Sequence, residues 1–388
     1  MRSWMIVSFL FGLSSSAASD WQVQRIPMVW PNAQVAVSQK GERFQGGHSG
    51  LFCESAGGSA VSCWTHTDRG PNGDASEGRR PFLDPSFQPR VLAWSYDGAS
   101  KVAFVSATRL TQAQGKPLTG LPNLAGVDET PVRPDQTPLA YDPTGMDLEG
   151  IVRVADGFWM VEEYGPSIVK FDASGRLQER FVPAGNRSRE GTAGLAAHFA
   201  LRENNRGFEG IALANGKLYA TMQSPLKATP PSRWIHIAEF DPKTKKQTGE
   251  YLYPLEASGS DRIGDLAHAG DFSFDLIEHD GKAKPDAVKR IYRADFSKAT
   301  NVMKMGAAVD AETPESLAKK GVRPAAKTLV VDLAAVGLGE VEKFEGVSVL
   351  PDGRIALVDD NDFGVRADST VDAKKASTFY VLTPKTNR

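Results

Sequence analysis

Three glutamates stand directly before a glycine at the start of an apolar run: Glu149 in LEGIVR, Glu209 in FEGIAL and Glu345 in FEGVSV. Such carboxylates either decorate strand ends, accepting local backbone N–H groups, or the fold brings them to one place. In the second case like charges meet, and their crowding is costly unless a cation or protons intervene. Clusters of oxygen donors select hard cations, calcium foremost in an exported protein. Asp265, in GDLAHAG, stands in the acidic place of a weaker copy. The expected ring of metal ligands is therefore Glu149, Glu209, Asp265 and Glu345.

The elements that would position these residues are β-hairpins. EGIVRVADGFWMVEEYG, EGIALANGKLYATMQSP and EGVSVLPDGRIALVDDND can be laid over one another. Each has an alternating apolar run, a turn holding Asp156-Gly157, Asn215-Gly216 or Asp352-Gly353, a second apolar run, and a polar end. Asn-Gly and Asp-Gly between apolar runs are the strongest short-range hairpin signal. Weaker copies begin at His48, with Ser49-Gly50 in place of Glu-Gly, and at Gly264.

The second runs end in a further polar layer: Asp68-Arg69-Gly70, Glu162-Glu163-Tyr164, Gln223-Ser224, Glu278-His279 and Asp360-Asn361-Asp362. Glu163 and Gln223 each follow their glutamate by 14 positions, which marks them as equivalent. Asp360 joins the expected metal ligands. Glu163 and Asp68 are candidate general bases, with Arg69 beside them to stabilise charge. Arg206, Lys227, Gln223 and Tyr164 are the candidate substrate-binding groups; as cations, Arg206 and Lys227 could clamp anionic oxygens. His48 and His66 could titrate near neutral pH. Each residue also has a plain reading, as a strand-end charge or a structural histidine.

Apolar runs continue after the hairpins, in SIVKFDASGRLQERFV, WIHIAEFDPKTKKQTGEYLYPL, VKRIYRADF and TFYVLTP. Four-stranded units repeated in this way predict an all-β fold, a β-propeller. Helical patterns do not alternate with the strands, which disfavours a doubly wound α/β fold; a β-sandwich is the alternative. Five repeats are legible, and residues 85–115 have room for a degenerate sixth blade. AQVAVSQKGERF, residues 33–44, is the expected closing strand. Thr313, Pro314 and Gly321 frame a short helix, REGTAGLAAHFALREN also looks helical, and residues 116–146 read as a long loop over one face.

Arg2, the apolar stretch from Met5 to Leu13 and the small residues from Ser14 to Ser19 have the layout of a signal peptide, leaving 20–388 as a single domain. Cys53 and Cys63 lie five residues either side of Gly58, so a cross-strand disulfide is expected in an oxidising compartment. The net charge of -2 gives no pull toward nucleic acid. No later stretch is long and apolar enough to span a membrane, and a monomer is expected. GHSGL lacks the last glycine of a nucleophile elbow, DDNDFG departs from a calcium-loop pattern at Phe363 and Thr370, and no H-E-x-x-H occurs. Asn186-Arg187-Ser188 fits a glycosylation sequon.

GGHSGL, THTDRG, DLEGI, EEYGPSIVKFD, NRGFEGIAL, MQSPL, KRIYRADFSKATNV and KFEGVSVLPDGRIALVDDNDFG, in this order, resemble the bacterial phytase-like family, which carries the label esterase-like activity of phytase. The resemblance runs from about residue 44 to residue 383. It implies an exported, calcium-dependent β-propeller that hydrolyses a small-molecule phosphoester or ester. His48, Thr67, His268 and Asp271 depart from the usual pattern. Two other functions use the same ring: a noncatalytic propeller that binds a ligand or protein around a structural cation, and a calcium-dependent lactonase-like esterase.

Overall fold

Alternating apolar residues and tight turns build the blades. Asn215 and Gly216, both at positive φ (51° and 75°), form a two-residue turn that joins two strands of one hairpin. This is the backbone that Asn-Gly favours. The structure is a computed structural model and describes residues 20–28, 36–37, 43–185, 190–256, 259–372 and 375–385. The expected leader, the sequon and most of the segment 33–44 lie outside the described residues.

Five antiparallel sheets follow one another along the chain, each running from an inner strand outward. Blade 1 comprises His48–Gly57, Ala60–Thr67, Arg90–Tyr96 and Val102–Arg109; blade 2 comprises Leu148–Val154, Gly157–Glu162, Ser167–Asp172 and Leu177–Pro183. Blade 3 is Phe208–Ala214, Lys217–Met222, Trp234–Asp241 and Lys246–Pro254, and blade 4 is Arg262–His268, Ser273–His279, Lys289–Asp295 and Ala326–Asp332. Blade 5 is Lys343–Val349, Ile355–Asp360 and Thr378–Pro384, completed by Trp21–Pro27 from the start of the described chain.

The fold is thus a five-bladed β-propeller. The room for a sixth blade at 85–115 is taken by the two outer strands of blade 1. The closing strand is Trp21–Pro27, paired in register from Trp21 with Pro384 to Pro27 with Thr378. Among the described residues of AQVAVSQKGERF, Ala36–Val37 pairs with Arg43–Phe44, and the closing place expected for that segment is held by Trp21–Pro27. WQVQRIP alternates as well as that segment does, and only the pairing distinguishes them. The stretch expected to be helical around residue 196 is a strand, Thr192–Leu195, running parallel to the outer strand of blade 2, followed by a single 3-10 turn, Ala197–Leu201. The helix Pro314–Lys319 forms as expected, with the Thr313 side chain accepting from Ser316 N–H. Cys53 and Cys63 are directly opposed and joined by a disulfide.

The apolar faces of the blades stack on one another. Trp159 and Phe181 of blade 2 pack on Phe240 of blade 3, with ring centroids 6.3 and 4.8 Å from it. Nearer the axis the blades touch through backbone. Each inner strand packs on the next, and blade 5 on blade 1. A Cβ on Gly150 would lie 2.8 Å from Ile211 N, one on Gly210 2.6 Å from Leu266 N, and one on Gly346 2.8 Å from Leu51 Cβ. The glycine after each glutamate is therefore required for close approach between blades. Substituting alanine at Gly150 is expected to lower the free energy of unfolding by about 1–3 kcal/mol, as overpacking does. A urea midpoint unchanged from wild type would contradict this.

Candidate functional site

Each ring glutamate occupies a β-bulge. In blade 2 Leu148 pairs with Glu162 and Gly150 with Val161, which leaves Glu149 as the extra residue. Glu209 and Glu345 are the extra residues at the same point of blades 3 and 5. A bulge re-aims its side chain out of the ladder, and all three carboxylates line one mouth of the channel. Blade 1 supplies Ser49, whose Oγ donates to Glu149 Oε2 (2.7 Å) and lies 3.3 Å from Glu345 Oε2.

Blade 4 is offset by one residue. Ile263 pairs with Glu278 and Asp265 with Ile277, so the extra residue is Gly264 and Asp265 takes the place that glycine holds elsewhere. Its carboxylate accepts the N–H groups of Val347 (2.8 Å) and Leu266 (2.7 Å), and it does not line the cleft. The expected position of Asp265 in the ring is thus corrected: in blade 4 the glycine precedes the acid instead of following it, a slip of one residue.

Two residues before each bulge the inner strands carry a second layer. Asp147 stands there in blade 2, Gly207 in blade 3, Arg262 in blade 4 and Lys343 in blade 5. This layer changes sign around the mouth, from Asp147 in blade 2 to Arg262 and Lys343 in blades 4 and 5. The cleft at this mouth has a volume of about 580 Å³ and an almost entirely polar lining.

Asp147, Glu149 and Glu163 each present a carboxylate oxygen within 4.8 Å of the others, all three buried. Glu163 Oε1 is buried without a hydrogen-bond partner. Arg69 closes one side: its Nη2 lies 2.8 Å from Asp147 Oδ2 and 3.4 Å from Glu163 Oε2, and its Nη1 donates to Asn205 Oδ1 (2.7 Å). Burial pushes the carboxyl of Glu149 well up, and its neighbours Asp147, Glu209, Glu163 and Glu345 push it further. Burial also raises Glu163, with Asp147 adding to the rise and Arg69 opposing it. Glu209 is raised by burial and then by Glu163 and Glu345. These donors fit a hard cation: they are oxygen only, desolvated, mutually repelling, and one of them is unpartnered.

The remaining expected residues divide between cleft and scaffold. Gln223 Nε2 donates to Glu209 Oε2 (2.7 Å) and its Oε1 accepts from Arg206 (3.0 Å), so it links the ring to a cation at the rim. Asp68 faces the cleft with one oxygen held by Gly70 N–H (2.8 Å). Asp360 accepts from Lys343 (3.2 Å), whose ammonium also donates to Asp362 (2.6 Å). Tyr164 does not reach the cleft; it is buried, donates to Gly120 O (2.9 Å) and supports Arg69 from below at 5.5 Å. Lys227 pairs with Glu203 (3.6 Å) on the exposed surface, away from the cleft. His48 and His66 are buried and burial pushes both down to about 3, so neither titrates near neutral pH.

Arg262, Lys343 and Asn205 line the cleft, and Asp147 lies buried beside Glu149 and Glu163; spacing alone did not single these out. For Asp147, Arg262 and Lys343 the signal lay two positions upstream of each bulge, in MDLEG, DRIGD and EKFEG, because alternate strand residues share a face.

A family model described as Phytase-like, Esterase-like activity of phytase, matches residues 44–363. The chain belongs to the phytase-like family. The alignment with one curated relative, an uncharacterized secreted protein of Arthroderma benhamiae, is 30% identical over 196 residues and covers 40% of this chain and 38% of that protein. Among solved structures, an α-L-arabinofuranosidase from Podospora anserina matches at 8% identity and TM-score 0.43, covering 96% of this chain and 99% of that one. The Bacillus subtilis arabinanase Arb43A matches at 10% identity and TM-score 0.41, covering 87% and 93%. At such scores these neighbours say nothing about the chemistry of this member of the family.

The raised carboxyls set the sign of a pH effect. A folded value above the ordinary 4.5 means that ionising the ring costs stability as pH rises from there through the folded value, and a cation offsets that cost. Calcium is therefore expected to raise the melting temperature more at about pH 8 than at about pH 5. In chelator, Glu149→Gln is expected to melt about 2 °C or more above wild type, having lost one repelling charge. Equal calcium increments at both pH values, or a destabilised Glu149→Gln in chelator, would contradict the electrostatic reading.

Proposed function

We propose that this phytase-like chain is an exported hydrolase that cleaves a phosphoester at the acidic mouth of its channel, with calcium bound by Asp147, Glu149 and Glu163. The observation that carries the reading is the make-up of the cleft: a buried oxygen cluster that suits a cation, and, at the same mouth, the guanidinium groups of Arg206 and Arg262 that suit an anion. Export is supported by the sequence of residues 1–19, by the disulfide, which persists in oxidising compartments, and by the secreted relative. No helix among the described residues is long and apolar enough to cross a membrane.

A bound calcium ion would supply neutralisation of phosphate charge. The rest falls to the chain. Arg206, oriented by Gln223, and Arg262, oriented by Asp261 (2.6 Å), stand at the rim where they can take the remaining phosphate oxygens. Arg69, gripped by Asp147 and stacked over Tyr164, is fixed before substrate arrives. Asp68 lies outside the three-carboxylate group, and burial, then Asp147, raise its affinity for a proton. It is the candidate acceptor of a proton from attacking water. Ordinary esters and lactones offer less charge for the cations, which is why the phosphoester is placed first.

Phosphomonoesters, phosphodiesters, carboxylic esters and lactones should be offered to the calcium-loaded protein. Turnover of a phosphoester is expected. Asp68→Asn and Arg206→Ala should each reduce kcat/KM roughly 100-fold, the scale of losing one positioned group. Lys227→Ala should leave it unchanged. No turnover of any phosphoester by folded, calcium-loaded protein would leave the propeller as a binding module.

A further inference from the structure

We propose that His198, His236 and Glu250 form a second, buried metal site, for a divalent transition metal of the zinc class, separate from the cleft. None of the three lines the cleft. His198 comes from the 3-10 turn Ala197–Leu201, while His236 and Glu250 come from the third and outer strands of blade 3. The side chains of His236 and Glu250 are wholly buried, and that of His198 is 10% exposed.

The donor atoms converge on one point. His198 Nε2 lies 2.7 Å and His236 Nδ1 2.6 Å from the same oxygen, Glu250 Oε1, and one donor atom from each residue falls within 4.8 Å of the others. Two imidazoles and one carboxylate are a ligand set that zinc takes, with bonds of about 2.0–2.2 Å. The surrounding contacts are those of a metal site. His236 turns its other nitrogen, Nε2, to Asp310 Oδ1 at 3.1 Å, and the second oxygen of Glu250 accepts from Gln247 Nε2 at 2.9 Å. A carboxylate behind a ligating histidine fixes its tautomer and strengthens it as a donor. Asp310 Oδ2 is itself buried without a hydrogen-bond partner.

The competing arrangement is a metal-free ion network. There one carboxylate oxygen accepts from two rings, and His236 must carry protons on both nitrogens to satisfy Glu250 and Asp310. Zinc would displace the protons that His236 Nδ1 and His198 Nε2 direct at Glu250 Oε1: His236 would release its Nδ1 proton to solvent, and His198 would bind through Nε2 with its remaining ring proton on Nδ1. The ligand atoms would spread from contact to the wider spacing of a tetrahedral site. The ion would then tie the 3-10 turn to blade 3, with Asp310, in the insertion between the third and outer strands of blade 4, held against it.

The test loads chelator-treated, full-length protein with zinc in the presence of excess calcium, so that hard oxygen sites are occupied, and measures retained zinc after gel filtration. One zinc per chain is expected. His198→Ala, a truncation at the edge of the core, should abolish retention while the far-UV spectrum stays native. Asp310→Asn should weaken binding about 10- to 100-fold, as loss of such a supporting group does. Cobalt in place of zinc should give the intense visible bands of a four-coordinate ion, lost in His198→Ala. Wild type that retains no zinc, or zinc retained equally by His198→Ala, would overturn the proposal. So would an NMR spectrum in which His236 keeps both ring protons in the presence of zinc.

Discussion

Five carboxyl groups, those of Asp147, Glu149, Glu163, Glu209 and Glu345, share the buried floor of one channel mouth, and their mutual repulsion is the constraint to which the surrounding structure answers. Burial removes the water that would screen them, so each raises its neighbours' cost of ionising. The chain responds with groups that hold charge in place. Ser49 bridges Glu149 and Glu345, Gln223 ties Glu209 to Arg206, and Arg69 spans Asp147 and Glu163. Lys343 sits between Asp360 and Asp362, where burial alone would lower its proton affinity but the two carboxylates more than reverse that. These contacts do not supply a partner for Glu163 Oε1. A bound cation would meet that unfilled demand.

The crowding follows from backbone geometry. Blades approach so closely at Gly50, Gly150, Gly210 and Gly346 that no side chain fits between them. Before Gly150, Gly210 and Gly346 the preceding glutamate is the bulge residue and projects into the mouth, whereas in blade 1 Ser49 pairs with His66 and the bulge follows it. Blade 4 shows the rule by its exception: with Gly264 in the bulge and Asp265 in the packed position, the ring loses a carboxylate and Asp265 becomes a strut across to blade 5 through Val347 N–H. Arg262 then faces Glu209 and Glu345 across the gap, and both reinforce its charge against the cost of burial.

Much of this was legible in the sequence because hairpins are local. Turn residues and period-two alternation mark each blade, and the repeated Glu-Gly marks the innermost strand. What the sequence hid is long-range or subtle in register. The closing strand is one of two alternating segments near the start of the chain, and only pairing with Thr378–Pro384 decides between them. Asp265 is displaced by a single residue, which sends a side chain to a different layer. Tyr164 and Lys227 stand beside site residues in the chain, yet one is folded under Arg69 and the other faces solvent. His198 with His236 and Glu250 gave no spacing signal, because His198 stands outside the hairpin that carries the other two and meets them only in three dimensions.

The central claim is that the ring exists to hold a hard cation. A crystal grown in calcium and measured at long wavelength tests it most directly. The account predicts an anomalous peak between Asp147, Glu149 and Glu163, within about 2.3–2.6 Å of their oxygens. A well-ordered cleft with no peak there, and with carboxyls paired by short proton-sharing contacts instead, would contradict it.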